Sequence, residues 1–318
     1  MGFFRAVFVT ALFAWGAAAQ WPEAPTIKVD VRLVRMLTTV RGPQGELVGG
    51  LNAEDFRIFD NGVEQTLKVF ERQSSQPLSV ALLVDISGST GKESRYEIDS
   101  MHRFLKALIN EGNPNDTAAL YSFNESVTQV ADFTRRLDRL DIGLRSLHSH
   151  GATALYDALY LASHQLERRE GRHVVVAVTD GGDTISHTNF QGALEALHRA
   201  NAVLYSTVVI PVEGGAGRNL GGENALITLS GWTGGRPFFP AEGPAIDTVF
   251  GDILKDLRTQ YLLAYYPTNL PPTRERFHKV QVEVKRPAHS VSARNGYYSD
   301  IVEPTPVPRS QQGPRPER

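Results

Sequence analysis

The chain has 318 residues, 41% of them hydrophobic and 21% charged, with a net charge of −2. That composition supplies a globular core larger than one average domain needs, and it offers no basic excess to match a phosphate backbone, which excludes nucleic acid as a natural partner. Cysteine is absent, so disulfides, thiolate metal sites and a lipid-bearing cysteine are excluded as well.

Residues 1–19 read as a secretory signal. Arg5 supplies the positive start, Ala6 to Trp15 the apolar stretch, and Ala17-Ala18-Ala19 the small-residue cleavage site before Gln20. The apolar run is short for a bilayer span, an uncleaved anchor being the alternative. The expected location is the periplasm or the exterior, where a core of this size makes disulfides dispensable.

Residues 20–75 form a β segment in this reading. Ile27 to Leu33 alternates strictly, and Phe56 to Phe59 leads through the hairpin turn Asp60-Asn61-Gly62 to a return strand over Leu67 to Phe70. From Leu78 the pattern changes. Leu78 to Val84, His173 to Val178 and Val203 to Ile210 are nearly continuous apolar runs, as strands buried on both faces require. Helical periodicity appears over Glu93–Ile109, Arg135–Leu147, Ala154–Arg168, Phe190–Ala200 and Ile246–Arg258, and near Ala225–Leu229. Ala118–Phe123 reads as a strand with Val127–Phe133 as its edge neighbour, Pro237–Phe239 as a short strand, and Tyr261–Tyr265 as the last of the series, with Glu213 to Gly222 a glycine-rich loop. Strands alternating with helices predict an α/β, doubly wound, mostly parallel sheet over 76–267.

Alternation returns at Val280, Val282 and Val284, and Val291 to Tyr298 predicts one further strand, so 268–300 is a second β segment. Neither flank is large enough to stand alone, and the expectation is that the two pair into a small β-sandwich into which the α/β module is inserted. The proline-rich, charged tail 301–318 is expected to be disordered.

Three turns carry the chemistry. The first buried run ends in Asp85-Ile86-Ser87-Gly88-Ser89, the second in Thr179-Asp180, and between them Thr153 precedes a helix. In a doubly wound sheet, ligands bind beyond the carboxyl ends of the strands. Carboxylates and hydroxyls there make an all-oxygen donor set suited to a hard cation, Mg²⁺ with Mn²⁺ or Ca²⁺ as alternatives. Taken singly, each turn also reads as ordinary helix capping. Asp157, Asp183 and His150 are candidates for the rim or for supporting contacts, with solvated loop side chains as the plainer reading. Gly88-Ser89-Thr90-Gly91-Lys92 lacks the first glycine and the final hydroxyl of a phosphate-binding loop and is rejected as one.

These turns, in this order, resemble the metal-ion-dependent adhesion site of the von Willebrand factor A family. More narrowly, the chain is similar to the bacterial VWFA-related proteins described from acidobacteria. The similarity rests on Leu51-Asn52-Ala53-Glu54-Asp55-Phe56, Asp60-Asn61-Gly62, Thr153-Ala154-Leu155-Tyr156-Asp157-Ala158, Thr233-Gly234-Gly235, Leu257-Arg258-Thr259-Gln260-Tyr261 and Arg294-Asn295-Gly296-Tyr297-Tyr298, and covers about residues 26–300. The resemblance implies that Ser87 and Ser89 ligate the metal directly, that Thr153 does so directly or through water, and that Asp85 and Asp180 act mainly through bound waters. It implies a non-enzymatic adhesion or assembly module whose partner protein presents a carboxylate to the metal. The alternative is a metal-assisted hydrolase with His148 or His150 as base. A chaperone-like partner of a cytoplasmic ATPase, known elsewhere in the superfamily, conflicts with the signal.

Overall fold

The computed structural model describes residues 33–72, 75–87, 94–149, 151–179, 182–209, 219–240, 243–271 and 275–299. The signal, the expected strand from Ile27 as far as residue 32, the tail, most of the glycine-rich loop, and Ser89, His150 and Asp180 lie outside these residues. The chain begins with β1 (Val34–Arg41), β2 (Phe56–Asp60), β3 (Val63–Gln65) and β4 (Leu67–Arg72). An α/β module follows: β5 (Leu78–Asp85), α1 (Ser94–Glu111), β6 (Thr117–Phe123), β7 (Val127–Thr134), α2 (Leu137–Arg145), α3 (Leu155–Glu167), β8 (Arg172–Thr179), α4 (Phe190–Arg199), β9 (Ala202–Val208), α5 (Leu220–Trp232), β10 (Pro237–Phe238) and α6 (Gly243–Thr259). The chain then returns to strands with β11 (Tyr261–Tyr265), β12 (Phe277–Val284), β13 (Ser290–Ala293) and β14 (Gly296–Tyr298).

The module is built on a six-stranded sheet of order β10-β9-β8-β5-β6-β7, parallel except for the edge strand β7. Every residue of β5, β8 and β9 is buried. The continuous apolar runs follow from this, because both faces need covering. Leu78, Val80, Leu82 and Val84 pack under α1, α2 and α6, whereas Ala81 and Leu83 pack under α3, α4 and α5. Ala119, Ala177, Ala158, Ala162 and Ala193 keep the second interface thin. The chain leaves β5 for β6 on one side and later returns to β8 on the other, so the loops after β5 and β8 part at the centre of the sheet. That parting is where a doubly wound fold opens a crevice.

The flanks do pair. One sheet has the order β13-β1-β11-β4 and the other β14-β12-β2-β3, and each mixes strands from before and after the module. Both contribute to one core, with Met36, Tyr261, Leu263 and Tyr265 from the first sheet and Phe56, Ile58 and Val280 from the second. Three strand assignments differ from expectation. The partner of β2 after the Asn61-Gly62 turn is Val63–Gln65, while Leu67 onward crosses to the other sheet beside β11. Tyr261–Tyr265 belongs to the sandwich and not to the parallel series, so the module closes at Thr259. All five of its residues are buried, which imitates a parallel core strand. Val291 to Tyr298 is broken at Arg294-Asn295 into two strands on different sheets.

The break has a purpose in the packing. Arg294 bridges to Thr233, and the Asn295 N–H donates to the Trp232 carbonyl at 2.9 Å, which joins the sandwich to the end of α5. Gly234 adopts a φ of +89°, and a Cβ there would stand 2.9 Å from the Arg294 nitrogen, so the contact requires glycine. Within the sandwich, the buried Asp60 carboxylate accepts from the hydroxyls of Tyr265 and Tyr297, each at 2.9 Å. Motifs from opposite ends of the chain therefore share one carboxylate, and burial followed by that charge pushes both phenols up.

His198 on α4 completes the junction. Its Nε2 lies 3.0 Å from the Trp232 carbonyl, Nδ1 is buried without a partner, and its ring stacks on Phe277. Burial, and then the nearby Arg294 charge, pull its pKa down to about 4. A histidine whose folded pKa lies below its unfolded value contributes stability that is present above the unfolded value, near 6.5, and lost as pH falls through the folded one. Unfolding free energy is expected to drop by roughly 3 kcal/mol across that window. Urea titrations at several pH values should show the slope in the parent protein and a flatter profile in His198→Gln.

Candidate metal centre

Asp85 is the last residue of β5, a strand with no outward face, and it is 4% exposed. A carboxylate so placed needs hydrogen bonds to offset its lost hydration. The Thr179 hydroxyl donates to Oδ2 at 2.6 Å, and the Ser87 backbone N–H donates to Oδ1 at 2.8 Å. Thr179 ends β8, the neighbour of β5, so the first contact locks two parallel strands at their carboxyl ends. The second bends the chain into the turn that presents Ser87, itself buried.

Thr153 reaches the same edge by a different route. The Ile86 N–H donates to the carbonyl of Phe123, which ends β6, and the next carbonyl, Asn124, accepts from Ala154 at 2.7 Å. The turn after β5, the corner after β6 and the start of α3 are thus joined backbone to backbone. From the other side, the Thr153 carbonyl accepts from the Thr184 N–H at 2.8 Å, while the Thr184 hydroxyl accepts from the Thr153 N–H at 2.9 Å. The Thr153 backbone is thereby held between these segments, and the residue is buried. Ser89 and Asp180 fall outside the described residues, although Asp180 directly follows Thr179.

The supporting candidates take definite roles. Asp183 accepts from the Tyr156 N–H at 3.1 Å and from the Ser186 hydroxyl at 2.5 Å, so it caps the helix that Thr153 leads into. Asp157 accepts from the backbone N–H groups of His187 at 3.0 Å and Thr188 at 2.8 Å. Each carboxylate sits on one of the two segments and binds the other. His148 is exposed, with Nδ1 2.7 Å from the Ser146 carbonyl. Sequence reasoning passed over Thr179, Asn124 and Thr184. The one available signal was a threonine closing an otherwise apolar run directly before Asp180.

Among the described residues no three histidine, cysteine, aspartate or glutamate groups converge. Any cation here would rest on hydroxyls beside one or two carboxylates. Asp85, Ser87 and Thr153 fit that description: all offer oxygen, two are neutral, and all are buried at the crevice.

Burial raises the Asp157 carboxyl, but hydrogen bonds from the His187 and Thr188 N–H groups outweigh it and hold its pKa below the usual range. Its contribution is therefore present above about pH 3.9 and lost as pH falls through the lower folded value. Asp157→Asn is expected to cost about 1.5–3 kcal/mol at pH 6, and the gap from the parent protein should close under strong acid in denaturant titrations.

A mostly parallel sheet with helices on both faces defines the class as a doubly wound α/β domain. Residues 80–182 match the family model of the von Willebrand factor type A domain, and the module is a domain of that type. The match runs from β5 to just past β8 and so takes in all three turns. Solved structures similar to this chain include the PilB minor pilin from Streptococcus sanguinis, at 14% identity and a TM-score of 0.46, covering 58% of this chain and 62% of that one. Another is the vWF domain of the type V pili tip protein Mfa5 from Porphyromonas gingivalis, at 12% identity and a TM-score of 0.46, covering 58% and 97%. A third is the conserved hypothetical protein BatB from Bacteroides thetaiotaomicron, at 18% identity and a TM-score of 0.44, covering 57% and 100%. This chain thus spans about three fifths of the PilB pilin. No curated protein matches the sequence.

Proposed function

We propose that this chain is an exported adhesion or assembly module in which Asp85, Ser87, Ser89, Thr153 and Asp180 hold one divalent cation, magnesium before manganese or calcium. Bound there, the cation supplies an open coordination position that accepts a carboxylate from a partner protein. The observation carrying this reading is the buried Asp85 carboxylate, fixed by Thr179 and the Ser87 N–H at the switch point of the sheet. Neutral hydroxyls from Ser87 and Thr153 donate less charge than carboxylates, which leaves a hard cation in need of a further anionic ligand. The matched domain supports the reading because residues 80–182 span every proposed ligand.

In this reading the module binds a partner and the hydrolase is the alternative. Hydrolysis requires a positioned base beside the cation; His148 is exposed with Nδ1 2.7 Å from the Ser146 carbonyl, and the carboxylates Asp157 and Asp183 accept from backbone N–H groups. Export rests on Arg5, the apolar stretch to Trp15 and the Ala17-x-Ala19 site. Among the described residues no helix is long and apolar enough to cross a membrane.

Magnesium in saturating excess is expected to raise the melting temperature by roughly 5 °C or more, and EDTA to reverse the rise. Asp85→Ala should abolish the response and release any partner retained from envelope extracts in magnesium. Melting curves indifferent to both magnesium and EDTA would sink the metal site, and a partner retained equally in EDTA would sink the mode of binding.

A further inference from the structure

At the opposite end of the α/β sheet from Asp85, a cavity of about 770 Å³ opens between the module and the sandwich. This volume and this place, between two packed units, are typical of small-molecule sites. One wall is the outer face of the β13-β1-β11-β4 sheet, which offers Leu37, Val69, Leu262 and Ala264. The lining carries four arginines, Arg35, Arg169, Arg172 and Arg294, and three glutamates, Glu71, Glu167 and Glu170, and the two deeply buried side chains among these seven are both guanidinium groups. Arg172, at the start of β8, is 6% exposed, Arg294 is 7% exposed, and Arg35 on β1 is half-buried.

The described hydrogen bonds of these three arginines all run to neutral acceptors. Arg172 donates to the carbonyls of Leu257 at 2.6 Å and Gln76 at 3.3 Å. Arg294 donates to the Asn201 side-chain oxygen, to the His198 carbonyl at 3.4 Å and to the Met36 sulfur at 3.3 Å. Arg35 donates to the Gln76 side-chain oxygen. Among the described residues none of the three forms an ion pair. Asp116 and Glu71 act on Arg172 only through space, and Glu167 and Glu170 are exposed. Carbonyls near the ends of α4 and α6 offset part of the charge, as helix C-termini do, but a dipole leaves net charge in place. Burial draws the Arg294 guanidinium down to about 10, so it stays cationic at neutral pH. A buried charge without a counter-ion is costly, and an anion entering the cavity would remove that cost.

We infer that this cavity binds a small organic oxyanion, its charged head on Arg172, Arg294 and Arg35 and a short apolar body against the β1–β11 face. The site is separate from the proposed metal centre and does not depend on it.

Isothermal titration of the full chain with hexanoate, hexanamide and inorganic phosphate tests the inference. Arg172 is buried against α6 and Arg294 fastens the sandwich to the module, so their variants risk misfolding. Arg35→Gln, on the outer face of its sheet, is the informative substitution, with Arg57→Gln on the other sheet as control. Saturable binding of hexanoate is expected, with hexanamide at least tenfold weaker and phosphate binding through the head group alone. Arg35→Gln should weaken hexanoate about tenfold, the scale of one charge-assisted hydrogen bond, and Arg57→Gln should leave it unchanged. No saturable binding of either anion would overturn the inference. Equal binding of hexanoate and its amide, or equal effects of the two substitutions, would do so too.

Discussion

The hydrogen bond from Thr179 to Asp85 governs the arrangement at the functional end of the module. A carboxylate ending a strand covered on both faces has lost most of its water, and the fold compensates it with donors from two other places in the chain. Those donors do structural work at the same time. Thr179 ties the ends of β5 and β8, and the Ser87 N–H forces the turn that brings a hydroxyl to the crevice. Without the buried acceptor the strands would still pair, since their apolar residues decide that, but the loops beyond them would have no common anchor. Thr153 depends on this anchor indirectly, through the Phe123–Asn124 corner that bonds Ile86 on one side and Ala154 on the other.

Much of this was legible in the residues, and where it was not the reasons are physical. β5, β8 and β9 announced themselves because two-sided burial leaves no polar alternation. The same signature misled at Tyr261–Tyr265. There the sandwich core covers Tyr261, Leu263 and Tyr265 on one face, while Leu262 and Ala264 face the junction cavity. A strand between a core and a second unit looks, residue by residue, like a strand inside a parallel sheet. The partner of β2 was missed because Val63-Glu64-Gln65 is too short and polar to stand out. The site was readable as three turns of oxygen-bearing side chains. Most of the contacts holding those turns in place were not, because Asn124, Ala154 and Thr153 act through backbone groups every residue type possesses.

The sequence motifs divide between two tasks. Thr153 to Ala158 belongs to the crevice. Asp60-Asn61-Gly62 and Tyr297 close the sandwich around one carboxylate. Thr233-Gly234-Gly235 and Arg294-Asn295 fasten the sandwich to α5. Polar junctions of this kind specify one relative placement more sharply than an apolar contact does, because each donor has one acceptor at one distance.

The central strand β8 shows what this rigidity means for the molecule. Arg172 at its beginning lines the junction cavity, and Thr179 at its end holds Asp85, about 23 Å away along an extended strand. Both faces of the strand are packed, and its neighbours pair with it along its full length, so it cannot slide without breaking the sheet. β8 is therefore one packed support running from Thr179 at the crevice to Arg172 at the junction. At this end Arg172 donates to the Leu257 carbonyl on α6, and the Asn295 N–H joins the sandwich to the Trp232 carbonyl at the end of α5. Such a mount keeps the turns after β5 and β8 at a fixed attitude to the sheet that carries them.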